Sequence, residues 1–432
     1  MDVFTGFLIA SLGAIFIGFL YKKTKSQAKV LPVRVSGHVD PRFKNVEEVF
    51  RKNFESGAET GAAFAVYYKG DLVVDLWGGY VNRKGQIPWR ENTLAATFST
   101  SKGITALLVA RFVELGYLDY KRPVYHYWPE FAQNGKEGIT VEMLVSHQAG
   151  LIGFDEPISI RLLKSDYEQY TSLLAAQKPF WEPGSTFGYH MLTWGYYVDV
   201  LLMKADPKKR TLEQIFQEEI TEPFGIDFFQ GTPTSEHYRI ASRIYMQSLW
   251  HQLYLFANKD FWKHMKHAFF DENGYQAAAK RACQEYLGKD AIEAKTDYEL
   301  RTIPLSSSNG YGTARAIAKL YGIVSNGGVY NKKTLLKEST IDQLEQVVVQ
   351  GIDAVIGANM TIGRGVMILK SPKGSTMFGH PGFGGQIGIC DRQNNLGIAY
   401  VTNNLAVLSL LGRSYSILNE AVFKCLEHIQ DG

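Results

Sequence analysis

From Gly103 to Leu115 the chain is apolar at nearly every position, broken by Thr105, Arg111 and Glu114. Apolar side chains on most faces predict a helix that runs through a core rather than along a surface, and Gly116 supplies its C-terminal stop. Before it, Ala63–Tyr68 and Leu72–Trp77 flank Lys69-Gly70-Asp71 and predict a β-hairpin within Gly61–Tyr80. Residues 120–300 predict mostly helix, rich in aromatic side chains and punctuated by Pro129, Pro157, Pro183, Pro207 and Pro223. Thr313–Ser325 is a further helix, with Ala314, Ile317, Ala318, Tyr321 and Ile323 on its apolar face. Strand patterns return at Met377–His380, Gln386–Asp391 and Leu396–Thr402, separated by a Pro-Gly loop and an Arg392–Asn395 turn. Leu408–Ile429 closes the chain as an amphipathic helix. Strands at both ends with helices between predict an α/β (α+β) fold: an antiparallel sheet built from both chain ends, flanked by helices, with a helical subdomain inserted. The folded domain covers residues 46–430, with sheet-bearing parts at 46–120 and 301–430 and the insertion at 121–300.

The N-terminus has a different pattern. Val3 to Tyr21 is uncharged and apolar, long enough to cross a hydrocarbon core of about 30 Å as a helix. Lys22, Lys23 and Lys25 follow it, whereas a cleaved leader would carry its basic residues in front. Residues 1–25 are therefore expected to be an uncleaved membrane anchor, and residues 26–45, with Pro32 and Pro41, a linker. The positive-inside rule then leaves the large domain in the cytosol; a secretory lumen and the mitochondrion are the alternatives. Cys283, Cys390 and Cys425 are scattered and form no disulfide framework, which suits a reducing compartment. Asn359-Met360-Thr361 is a glycan acceptor sequence, useful only in a lumen.

Charge adds little beyond the anchor. The formal charge of the 432 residues is +3, but residues 1–34 hold five Lys/Arg against one Asp. The rest is nearly neutral, with 41 basic and 42 acidic side chains. With no basic face, zinc-finger spacing or RNP motif, nucleic acid is not an expected partner.

Ser99-Thr100-Ser101-Lys102 opens the buried helix. Lys102 lies one turn after Ser99 on the same face, and burial lowers an ammonium pKa toward the range of a usable base. The pair therefore reads as a serine nucleophile with a lysine base. It is not specific alone, because Ser26-Gln27-Ala28-Lys29 has the same spacing in the linker. Three further stretches accompany it: Thr140–Leu151 with Ser146-His147-Gln148-Ala149-Gly150-Leu151, Trp181–His190, and Phe378–Gly385 with His380-Pro381-Gly382.

Taken in this order and at these separations, the four stretches resemble the class C β-lactamase and penicillin-binding-protein-like serine hydrolases, above all the esterase-type and animal β-lactamase-domain members. The resemblance covers about Asn45 to Ile429. It implies a β-lactamase/transpeptidase-like fold, no cofactor and no metal. It also implies an acyl-enzyme on Ser99, with Lys102 and Tyr189, from the Tyr-x-Asn motif, moving the proton. Lys102 would hold Tyr189 partly as phenolate, and which of the two is the base stays open. The oxyanion would be bound by the backbone N–H groups of Ser99 and Phe383, after His380-Pro381-Gly382, with Gly382 letting substrate lie along the strand. Pro381 suits an edge strand at a cleft.

Two departures matter. Met191 stands where Tyr-x-Asn has asparagine, and His380 where the third motif usually has lysine. Both weaken the case for β-lactam or D-alanyl substrates and leave ester or amide acyl transfer intact. A small ester or amide is the expected substrate; a catalytically inactive scaffold or filament subunit, partnered by further copies of the chain, is the alternative. His147 reads as a structural histidine before a glycine turn and His190 as a pocket candidate. His264 and His267 have helical ligand spacing without an acidic or cysteine partner. No Gly-x-Ser-x-Gly elbow, His-Glu-x-x-His or P-loop occurs.

Overall fold

A computed structural model describes residues 31–248, 262, 274–287, 295–406 and 411–430. The chain divides into two units, Met1–Arg34 and Val35–Gly432; the second holds the sheet and helices that follow. The expected span at residues 3–21 and the His264/His267 pair lie outside the described residues. Among those that are described, no helix is long and apolar enough to cross a membrane.

Burial with period two sets the architecture. In the strand Gly61–Tyr68 (β2, after β1 at Val35–Val39), Ala62, Phe64, Val66 and Tyr68 enter one core, while Ala63, Ala65 and Tyr67 face another. Lys69 and Gly70 both take positive φ, 53° and 88°, the two-residue turn that matches strand twist, and Asp71–Asn82 (β3) returns. The remaining strands of the main sheet come from the C-terminal part: Val349–Ile352 (β4), Asn359–Ile362 (β5), Met367–Lys370 (β6), Thr376–Gly382 (β7), Gln386–Asp391 (β8) and Leu396–Thr402 (β9). Their order is β1-β3-β2-β9-β8-β7-β6-β5-β4, antiparallel throughout, with the short strand Ile87–Pro88 on β3. The β2–β9 pairing joins the two chain ends, as the strand pattern predicts.

Lys44–Glu55 (α1) and a C-terminal helix cover one face through Val46, Phe50, Leu418, Val422 and Leu426. Thr100–Glu114 (α2) and Ala314–Ser325 (α4, with α3 at Thr193–Ala205 between them in sequence) cover the other. α2 ends as its sequence predicts: Gly116 N–H reaches the Val113 carbonyl and Tyr117 N–H that of Phe112, closing a Schellman motif. Gly397 lets α4 come within 2.5 Å of where a Cβ would stand, so helix and sheet meet backbone to backbone. The C-terminal helix, Arg413–Gln430 (α5), begins later than the pattern at Leu408 suggests; residues 407–410 are not described.

Two expectations change. Val35–Val39, read from its polar composition as linker, is an edge strand, exposed along its centre and held by β3. The stretch 121–300 contains helices at Val141–Val145, Tyr167–Ala176, Thr193–Ala205, Leu212–Phe216 and Tyr275–Leu287, but much of what lies between is turn and 3-10 helix. Its strand Phe228–Gln230 pairs with Gly310–Gly312, which also pairs with Ala95–Ala96. That small sheet ties the insertion to the residues that lead into α2.

Candidate active site

Ala95–Ala96 delivers the chain into a tight turn. Thr97 anchors it, its N–H and its Oγ1 each donating to the Gly310 carbonyl at 2.9 Å. Phe98 then adopts φ 47°, the left-handed region that an aromatic residue rarely occupies. Ser99 follows at the head of α2, half-buried, and its side chain caps no backbone N–H, so Oγ is left for chemistry. Gly103, one turn into the helix, is required by packing. A Cβ there would stand 2.9 Å from His380 Cβ and still closer to Tyr321 Oη, so glycine lets α2 lie against β7.

Lys102 is fully buried. Its Nζ donates to the Met191 carbonyl at 2.7 Å and the Ser307 carbonyl at 2.9 Å, and lies 3.3 Å from Ser99 Oγ. Burial pushes its pKa well below the usual lysine range, outweighing the opposing pull of Cys283 and Asp199. A neutral amine has two N–H groups and one lone pair. The two carbonyls take both N–H groups, which leaves the lone pair for the Ser99 hydroxyl. The Met191 backbone serves the lysine whatever the side chain there, and no side-chain amide stands beside it. The Met191 side chain turns instead to Cys283, Sγ to Sδ 3.7 Å.

Tyr189 completes the group. Its hydroxyl is hydrogen-bonded to Ser99 and lies 3.5 Å from His380 Nε2. The expected phenolate is not what this environment favours. Burial pushes the phenol far above its ordinary value. Lys102 Nζ, itself held toward neutrality, lies over the face of the ring, 4.9 Å from its centroid. Burial thus favours the uncharged form of both groups, amine and phenol.

Two histidines fix the tyrosine loop. His147, at φ 66°, accepts Gly188 N–H on its carbonyl and His190 N–H on Nδ1, with its ring 4.9 Å from that of Tyr189. His190 accepts Leu151 N–H on Nε2 and donates from Nδ1 to the Gly188 carbonyl at 2.6 Å. Both of its ring nitrogens are thus spent on backbone, so it frames the site rather than lining it. His380 donates from Nδ1 to the Pro381 carbonyl at 2.6 Å, which leaves Nε2 as an acceptor toward Tyr189. Burial and the nearby Lys102 lower its pKa to about 3, so it carries no charge for a substrate carboxylate.

β7 has a split character that explains Pro381. Thr376–Gly379 pair with β6 on one side and β8 bounds the other, but His380–Gly382 outrun β6 and pair with β8 alone. Pro381 therefore sits on a locally free edge. Gly382 is also required by packing: a Cβ there would stand 2.8 Å from Thr100 Oγ1 and closer still to the Thr97 carbonyl. Its bareness brings the strand against the nucleophile turn. Phe383 follows, 43% exposed, its ring edge-on to Phe98 at 5.7 Å. Among the described residues, no carbonyl accepts the N–H of Ser99 or of Phe383.

Sequence carries no signal for the Ser307 carbonyl or for the packing demand at Gly103: the polar run Ser306-Ser307-Ser308-Asn309-Gly310 shows its burial only in the fold. No group of metal-ligating side chains occurs among the described residues.

Residues 46–408 match the family model described as Beta-lactamase. Esterase/beta-lactamase LipL of Mycobacterium tuberculosis is 32% identical over 379 residues, covering 86% of this chain and 83% of that protein. The crystal structure of a family VIII carboxylesterase aligns with a TM-score of 0.79 at 31% identity, over 90% of this chain and 99% of the other. A penicillin-binding protein homologue from Caulobacter crescentus gives 0.75 at 33%, over 90% and 99%.

Proposed function

Because this chain belongs to the Beta-lactamase family, we propose that it is a serine hydrolase of esterase type that turns over through an acyl-enzyme on Ser99. The observation that carries this reading is the coordination of Lys102 Nζ by two carbonyls with Ser99 Oγ at 3.3 Å. Lys102 takes the Ser99 proton as Oγ attacks the substrate carbonyl carbon. The tetrahedral oxyanion is met by the N–H groups of Ser99 and Phe383. As the carbon–oxygen bond to the leaving alcohol breaks, the proton on Lys102 returns to that oxygen, directly or by way of the Tyr189 hydroxyl. Water then repeats the sequence on the acyl-enzyme and frees the acid.

The substrate is an uncharged ester. His380 is neutral across the working range, Met191 offers no side-chain amide, and the exposed Phe383 ring suits an apolar acyl group. The inactive scaffold or filament subunit remains the second reading; a folded, polymerising protein indifferent to Ser99→Ala would favour it. A fluorophosphonate probe labels the wild type and not Ser99→Ala; equal labelling of both overturns the assignment. A short-chain aryl ester is hydrolysed far faster than a chromogenic cephalosporin. Residues 3–21 anchor the protein with the hydrolase domain in the cytosol, so protease digests that domain on intact membranes; full protection without detergent contradicts this.

A further inference from the structure

Asp199 and Lys295 are buried ionisable groups with no part in the steps above. Both grip the segment that holds the lysine. Asp199, on α3, accepts Ser306 N–H on Oδ2 at 2.9 Å. One residue on is the Ser307 carbonyl that receives Lys102. Ser307 Oγ donates to the Leu192 carbonyl at 2.7 Å, and Lys295 Nζ donates to the Ser308 carbonyl at 2.6 Å. Asn309 Nδ2 donates to the carbonyls of Leu300 and Ile303, both at 2.6 Å. Every residue from Ser306 to Asn309 is thus fixed by a buried polar bond.

Asp199 is the unusual member of this clamp. Beyond the N–H and hydroxyl of Ser306 no donor stabilises its carboxylate, and Oδ1 is buried without an aligned partner among the described residues. A carboxylate buried with so few donors costs stability, and such groups concentrate where a charge has work to do. The ionisable groups facing it are Lys102 from α2, Tyr170 from Tyr167–Ala176 and Glu213 from Leu212–Phe216. Glu142, on Val141–Val145, turns instead to Arg364 at 2.6 Å. Lys102 is the basic group among them.

We propose that Asp199 is a positioning residue for acyl transfer, holding Ser306–Ser307 so that the Ser307 carbonyl meets Lys102 Nζ and setting a negative charge behind that amine. This rests on the acyl-transfer reading above. Burial raises the Asp199 carboxyl to about 7, and its ionised form favours the protonated form of Lys102. Removing the charge while keeping the acceptor therefore lowers the pH at which Lys102 becomes a free amine.

Asp199→Asn and Asp199→Leu in the full chain separate the two roles. Lys102 is followed by ¹⁵N NMR of its Nζ, assigned with Lys102→Met, alongside the pH profile of kcat/KM on an aryl ester. In Asp199→Asn, the Lys102 midpoint and the acid limb both move down by about half to one pH unit, with kcat within about threefold of wild type. In Asp199→Leu, kcat falls at least about tenfold with KM little changed, because the carbonyl that orients the amine is no longer held. An unmoved midpoint in Asp199→Asn overturns the proposal, even if both variants melt earlier, and so does wild-type kcat in Asp199→Leu. If Asp199→Leu does not fold, Asp199→Asn decides. Absence of Ser99-dependent turnover in the wild type refutes the acyl-transfer reading instead, and the NMR midpoint still tests the coupling.

Discussion

Replacing Lys102 by methionine removes the amine and keeps nearly the same buried volume, so its effects separate cleanly. The proton acceptor 3.3 Å from Ser99 Oγ disappears. General-base catalysis is worth about 10²–10⁴ in rate, or roughly 3–5 kcal/mol at 1.36 kcal/mol per tenfold. The Met191 and Ser307 carbonyls lose their donors, each loss costing about 1–3 kcal/mol, partly offset because no amine has to be desolvated. The net destabilisation is about 1–3 kcal/mol, a melting shift of a few degrees. A pH signature accompanies it. Lys102 titrates well below its unfolded value of about 10.4, so between the two values the unfolded chain binds the extra proton. Wild-type stability therefore rises with pH through that window. The methionine variant lacks this rise and compares best with wild type at low pH. Stopped-flow release of nitrophenol from an aryl ester reads the acylation rate, and thermal melts at several pH values read the rest. Acylation within tenfold of wild type at pH 7–8 would refute the reasoning and move the base to Tyr189.

Other perturbations test neighbouring parts of the account. Tyr189→Phe, which removes the hydroxyl bonded to Ser99, lowers kcat about a hundredfold and changes stability by about 1 kcal/mol or less, read by steady-state kinetics and chemical denaturation. Gly103→Ala drives a methyl toward His380 and Tyr321; it destabilises by about 1–3 kcal/mol and lowers kcat as β7 is pushed away from the nucleophile turn, measured by the same two methods. Glu59 accepts from Thr402 Oγ1 at 2.6 Å, and burial raises its pKa to about 7. Between its unfolded value of about 4.3 and 7 the folded state binds the extra proton, so this group makes wild-type stability fall as pH rises. Glu59→Gln therefore gains stability relative to wild type across that interval and holds the gain above it, as urea titrations at pH 4.5 and 7.5 would register.

The parts of the fold legible in the sequence are those that side-chain identity determines locally. The hairpin around Lys69-Gly70, the three C-terminal strands and the Gly116 stop follow from periodicity and turn chemistry, and they stand where the pattern put them. Val35–Val39 was illegible because an edge strand buries little and so shows no alternation. Ser99, Lys102 and Tyr189 come together as the four stretches imply, since a helical i, i+3 relation and a Pro-Gly strand end survive in sequence. The state of Lys102 and Tyr189 was not legible, because it depends on burial and on two backbone carbonyls, one of them from a methionine that looks like a defect. Main-chain acceptors leave no mark in side-chain identity. Gly382 shows the same limit: a neighbouring turn demands the same bare Cα as a substrate would, and the demand of the Thr97 carbonyl is invisible in sequence.

The central claim, nucleophilic attack by Ser99 on an ester, is tested most directly by quenching the protein in acid during turnover of a short-chain aryl ester and mapping the acyl group by mass spectrometry. One acyl addition is expected on the peptide that carries Ser99, absent from Ser99→Ala and accumulating at least about a hundredfold more slowly in Lys102→Met. An acyl group found on another residue, or ester turnover persisting unchanged in Ser99→Ala, would contradict it.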